Sequence, residues 1–152
     1  MVIEGGLSPD DDTVRLRGGR FLRVFVVLFR EPHNGGYRMK VEQATYQYQV
    51  DPEGKQWVFR YDYRREPRDQ HPATHLQVRG TLTEREVGPY RGLLDRTHFP
   101  TGRVSIEAVI RLLVEQFGIP SGSTPETWRR VLAESERLFE DIAHRPLSGP
   151  AA

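Results

Sequence analysis

The stretch ATYQYQVDPEGKQWVFRYDY, residues 44–63, decides the fold. Ala44, Tyr46, Tyr48 and Val50 fall on alternate positions, and beyond the loop Asp51-Pro52-Glu53-Gly54-Lys55 so do Trp57, Phe59, Tyr61 and Tyr63. Period-two alternation of aromatic and β-branched residues on either side of a Pro- and Gly-containing loop predicts a β-hairpin. Its facing aromatic rows then pair across two strands. Working back toward the N-terminus, Tyr37, Met39 and Val41 hold the opposite parity, so the phase slips near Gln43 and a β-bulge or a break belongs there.

Further upstream, RFLRVFVVLFR at residues 20–30 is apolar on both faces, with Leu22, Val24, Val26 and Leu28 on one and Phe25, Val27 and Phe29 on the other. Such a strand is central, and Pro32 with Asn34-Gly35-Gly36 marks its end. Residues 5–12 mix Gly, Pro and three consecutive Asp, so residues 1–19 read as a flexible arm in which Val14 and Leu16 can begin a short strand. Downstream of the hairpin, residues 74–82 place Leu76, Val78 and Leu82 on one face and His75, Gln77, Arg79 and Thr81 on the other. Residues 83–103, rich in Gly and Pro, connect to the helical part.

Ser105 is placed to cap a helix carrying Ile106, Val109, Ile110, Leu113 and Phe117, stopped by Gly118 and Pro120. A second helix starts at Thr124-Pro125 and puts Trp128, Val131, Leu132, Leu138, Phe139 and Ile142 on a stripe that ends near His144. The expected architecture is α+β: an antiparallel meander of four to five strands packed by two C-terminal α-helices, one domain over residues 20–145 followed by a disordered tail at 146–152. The helices need an apolar face to cover, so the aromatic set is read as core rather than as a base-stacking platform.

Composition narrows the function classes. Twenty-two basic against 21 acidic residues argue against non-specific coating of nucleic acid. With no cysteine, the 152-residue chain has no disulfide, thiolate ligand or cysteine nucleophile, which suits a cytoplasmic location. Its longest apolar run, residues 24–29, is too short to span a bilayer, so no membrane is expected. Residues 60–103 carry nine basic against six acidic side chains, and Lys40 and Lys55 are the only lysines, so the cations are almost all arginine, whose planar fork suits phosphate or carboxylate.

Three of the five histidines lie in or beside that basic segment, in His71-Pro72-Ala73-Thr74-His75 and in Arg96-Thr97-His98-Phe99-Pro100-Thr101-Gly102-Arg103. In an extended chain His71 and His75 stand roughly 13 Å apart, a weak metal-ligand spacing, although a turn at Pro72 with His98 would assemble three ligands. A metal-free site suits the residues better. His75 serves as general base and His98 as general acid, with His71 beside them, and Arg79, Arg103 and Arg96 hold a phosphate. Histidine exchanges protons near neutral pH, as a metal-independent ribonuclease requires. The bland alternative is a solvated His75 on an edge strand and a His98 that satisfies a turn.

The order YQYQV, short turn, WVFRYDYR, histidine-containing loop, further strand and amphipathic helix resembles the TumE-type family of small bacterial toxin-antitoxin proteins. The similarity covers approximately residues 20–117, and Phe59-Arg60-Tyr61-Asp62 and HPATH are its most specific pieces. The resemblance implies a cytoplasmic toxin component partnered by a small antitoxin. RNA and a second copy of the chain are further expected partners, and no cofactor is expected. The alternative is a non-catalytic module whose sheet or second helix binds a protein.

Overall fold

The computed structural model describes residues 12–33, 36–67, 72–80 and 98–143. The chain divides into two compact units, Met1–Arg103 and Val104–Ala152. The first holds β1 (Thr13–Arg15), β2 (Phe21–His33), β3 (Gly36–Gln49), β4 (Trp57–Arg64), β5 (Thr74–Val78) and β6 (Phe99–Pro100). All neighbours are antiparallel and the sheet order is that of the sequence. The second unit holds α1 (Ile106–Glu115) and α2 (Pro125–Ala143), so the fold is α+β as the periodicity predicts.

Cross-strand pairing sorts the sheet into two faces, because partners in an antiparallel ladder share a side. On one, Leu22 pairs with Tyr48 and Tyr48 with Phe59, while Val24 pairs with Tyr46, Tyr46 with Tyr61 and Tyr61 with Leu76. Leu22, Tyr46, Tyr48 and Phe59 are buried, and the Phe59 ring lies 5.6 Å from that of Tyr48 and 5.8 Å from that of Tyr61. The aromatic set is core here, and burial pushes the Tyr61 hydroxyl above its ordinary value of 10.0. Trp57 departs from the set. A register shift beside Gln49 makes Val58 the extra residue, so Trp57 pairs with Gln49 and lies 6.0 Å from the Arg60 guanidinium.

The phase slip expected near Gln43 is a β-bulge. Val27 pairs with Gln43 and Leu28 with Val41, which leaves Glu42 as the extra residue on β3. Its carbonyl accepts from the Arg65 amide at 2.9 Å. β4 pairs with residues 43–49 of β3 alone, so the outer halves of β2 and β3 run on as a two-stranded arm. β2 does not end at Pro32, which pairs with Tyr37 inside that arm. A two-stranded ribbon tolerates proline because its nitrogen, which has no proton to donate, can face outward.

Two readings differ from the observed strands. β5 closes at Val78 rather than running to Leu82, and Leu82 lies outside the described residues. The connection read at residues 83–103 contains the two-residue β6, held to β5 by Thr74, whose hydroxyl donates to the Thr101 carbonyl and whose own carbonyl accepts from the Thr101 amide at 3.2 Å.

In the second unit Ser105 caps α1, accepting from the Ala108 amide at 3.0 Å. Gly118 at φ 65°, with the Ile119 amide returned to the Leu113 carbonyl at 3.0 Å, ends the turn as the sequence predicts. Between α1 and α2, Leu113 and Leu132 are buried, Arg111 pairs with Glu136 at 2.6 Å and the Ser135 hydroxyl donates to the buried Glu107. Val131 and Leu138, read as part of the apolar stripe, are half exposed.

Candidate functional site

The second face of the sheet is polar, and much of it is buried. Register places Arg23, Gln47, Arg60 and Gln77 in one transverse row across β2 to β5, with Thr45, Asp62 and His75 in the next. Since β6 pairs His75 with Pro100 and Leu76 with Phe99, the same register brings His98 opposite Gln77. Two residues 23 apart in sequence, His75 and His98, thereby meet: their ring centroids lie 4.5 Å apart at an interplanar angle of 61°.

A connected set of polar groups supports the pair. Asp62 accepts from Thr45 Oγ1 at 2.8 Å and from Arg60 Nε at 2.7 Å, and its Oδ2 lies 3.5 Å from His75 Nε2. Arg60 Nη2 donates to Gln77 Oε1, and Gln77 Nε2 lies 3.4 Å from His98 Nε2. His75 Nδ1 faces the Pro72 carbonyl at 3.3 Å. The His75 side chain is only 11 % exposed, which makes this arrangement unlike that of a solvated edge histidine. A cleft of about 250 Å³ opens beside it, lined by Gln43, Arg60, Asp62, Tyr63, Arg64, Pro67, Pro72, Ala73, His75 and His98.

The rest of this face is closed by the β3–β4 loop. Gln47 Nε2 donates to Gln49 Oε1 at 2.7 Å, and Gln49 Nε2 donates to the carbonyls of Asp51 and Pro52 at 2.9 and 3.1 Å. Gly54, at φ 74°, sits so close that a Cβ would fall 2.9 Å from Gln47 Nε2 and 3.0 Å from Arg23 Nη1. Desolvation acts to raise the Asp51 carboxyl, and hydrogen bonds from the amides of Gln56, Lys55 and Gly54 outweigh it, so the group stays below its ordinary 3.8.

Not every expected site residue joins the pair. Arg79 lies four residues along the chain from His75, where its Nη1 donates to the Lys55 carbonyl at 2.6 Å. Arg103 stacks on Tyr63, 4.7 Å from the ring centroid; Tyr63 pairs with Thr74, which places that contact on the aromatic face. His71 and Arg96 lie outside the described residues. Among the described residues the cations at the cleft are instead Arg60 and Arg64, and Arg60, Asp62 and Gln77 are the members that sequence reading missed. Their signal was present: Arg60 and Asp62 hold the positions between the aromatics of β4, on the opposite face, and Gln77 shares a face with His75.

Among the described residues no group of three or more His, Cys, Asp or Glu side chains is arranged to hold a metal ion, and no helix is long and apolar enough to cross a membrane. Compared with protein-family models, with characterised proteins and with solved structures, the chain gives no match.

Proposed function

We propose that this chain is a toxin-like protein of a bacterial toxin-antitoxin type system, cytoplasmic, acting on RNA by metal-independent phosphodiester cleavage. The observation that carries the reading is the contact of His75 with His98 at 4.5 Å, backed by Asp62 and set in a cleft lined by Arg60 and Arg64. The TumE-type resemblance supports it, since Arg60, Asp62 and His75 fall within the pieces that carry that likeness.

In the proposed step the 2′-oxygen attacks phosphorus as the bond from phosphorus to the 5′-oxygen breaks. His75, oriented by Asp62, takes the 2′-hydroxyl proton once its Nδ1 leaves the Pro72 carbonyl, and His98 gives a proton to the departing 5′-oxygen. Arg60 and Arg64 stabilise the negative charge that builds on the phosphoryl oxygens. Positioned proton transfer of this kind is worth about 10²- to 10⁴-fold each.

Expression of the wild-type chain is expected to inhibit bacterial growth and to degrade RNA, and His75→Ala with His98→Ala is expected to abolish both. Undiminished RNA cleavage by the double variant would overturn the assignment.

A second reading, a module that binds a small antitoxin protein or another copy of the chain, is favoured by one observation. On the β2–β3 arm Val26, Leu28, Tyr37 and Met39 are 41, 51, 66 and 52 % exposed, an apolar patch of the kind that marks interaction surfaces. That reading expects partner capture to survive the histidine substitutions and to fail in a Leu28→Lys, Met39→Lys variant.

A further inference from the structure

The polarity of the groups around His98 follows from two partners that have no choice. A guanidinium only donates, so the atom of Gln77 that faces Arg60 Nη2 is the carbonyl oxygen Oε1. The reverse placement would set two donors against each other. Arg60 is held in place in its turn, because its Nε donates to Asp62 Oδ2 at 2.7 Å while Asp62 Oδ1 accepts from the Thr45 hydroxyl at 2.8 Å. Gln77 is 5 % exposed, so its amide has little freedom to turn toward water.

With Oε1 committed, the amide nitrogen Nε2 is the atom 3.4 Å from His98 Nε2. An amide nitrogen donates and does not accept, so His98 Nε2 takes the accepting role, and a neutral imidazole that accepts at Nε2 carries its proton on Nδ1. The His98 Nδ1 atom is buried. His75 meets the His98 ring at 61° and keeps its own Nδ1 and Nε2 toward the Pro72 carbonyl and Asp62 Oδ2, so it restrains His98 by packing and leaves the Gln77 contact to set the proton.

We infer that Gln77 is a positioning residue, held by Arg60, that fixes His98 as the Nδ1–H tautomer. His98 therefore keeps Nε2 as an acceptor toward Gln77 while it is neutral, and it acts as the proposed acid only from its imidazolium form. For its bearing on catalysis this rests on the phosphodiester reading above, whereas the tautomer itself does not.

The test is long-range ¹H–¹⁵N correlation of the imidazole nitrogens in the full-length ¹⁵N-labelled protein, at a pH where His98 is neutral. Wild-type His98 is expected to carry its proton on Nδ1. In Gln77→Glu the carboxylate keeps the Arg60 contact but can only accept, so the proton is expected to move to Nε2, with the circular dichroism of the sheet unchanged. A wild-type Nε2–H pattern, or a Gln77→Glu variant that keeps the Nδ1–H pattern, overturns the inference.

Kinetics separate this from the functional reading. If RNA is cleaved, Gln77→Glu is expected to lower kcat by about 10²-fold at unchanged KM, the signature of a misplaced proton rather than of lost binding. An Nδ1–H pattern in a protein that cleaves no RNA supports the inference while the functional reading fails. Cleavage by a protein whose His98 is the Nε2–H tautomer overturns the inference alone.

Discussion

The two faces of the sheet are buried to similar depth by opposite chemistry. Tyr48 and Phe59 on one are 5 and 4 % exposed, and Gln47, Gln49 and Gln77 on the other are 5, 0 and 5 % exposed. Apolar burial is non-directional, so the aromatic face is held by area and shape. A buried amide instead needs a partner for each polar atom, so the glutamine face is held by connectivity. The contrast teaches that one face tolerates isosteric exchange where the other does not, and substitutions can break or sharpen it.

The largest effect is expected on the aromatic face, where Phe59→Ala removes a buried ring and should cost about 3–5 kcal/mol in denaturant unfolding, against less than about 1.5 kcal/mol for Phe59→Leu. On the polar face the order inverts. Gln49→Leu is nearly isosteric, yet it takes the partner from Gln47 Nε2 and the Pro52 carbonyl and leaves the Asp51 carbonyl only the Gly54 amide at 3.3 Å, so a loss of about 1–3 kcal/mol is expected in the same measurement. A Gln49→Leu variant as stable as the wild type would show that connectivity is not what holds this face.

Next comes the loop over the glutamines. Gly54→Ala combines a left-handed backbone at φ 74° with a Cβ 2.9 Å from Gln47 Nε2, and about 1–2 kcal/mol of destabilisation is expected from the backbone alone, read as a fall in thermal midpoint. The smallest effect belongs to Asp51, on the outside of that loop. Its carboxyl lies lower in the folded state than its ordinary 3.8, so the stability it contributes is present above that value and is lost as pH falls through the folded value. Asp51→Asn should therefore lower stability slightly at neutral pH and converge with the wild type in acid, which flattens the acid limb of a stability-against-pH curve.

Much of the fold was legible because strand periodicity survives substitution. Alternation in residues 44–50 and 57–63 gave the hairpin, and the parity change between Val41 and Ala44 located the bulge within a residue of Glu42. The site was legible only as a set of residue types. His75 and His98 were read together for their chemistry, but their contact depends on β6, a two-residue strand too short to leave a periodic signal. Arg79 was grouped with them by charge and by its alternation with His75 along the strand, and Arg103 by charge and its place near His98. Arg79 instead answers the Lys55 carbonyl at the far end of β5, and Arg103 finds the Tyr63 ring. Sequence distance reports neither which end of a strand nor which face of a sheet a long side chain will reach.

The bulge at Glu42 bears on how this chain can change over time. It sets the phase between the outer arm and the half of β3 that pairs with β4, because Tyr37, Met39 and Val41 share a face with Ala44, Tyr46 and Tyr48 only through the one added residue. Many residue types should be accepted at position 42, since its backbone carbonyl makes the contact with Arg65. A deletion there would be a different kind of event: it would turn every outer side chain of β3 over relative to the inner ones. At this position the heritable quantity is chain length, and drift by substitution is open where drift by insertion or deletion is closed.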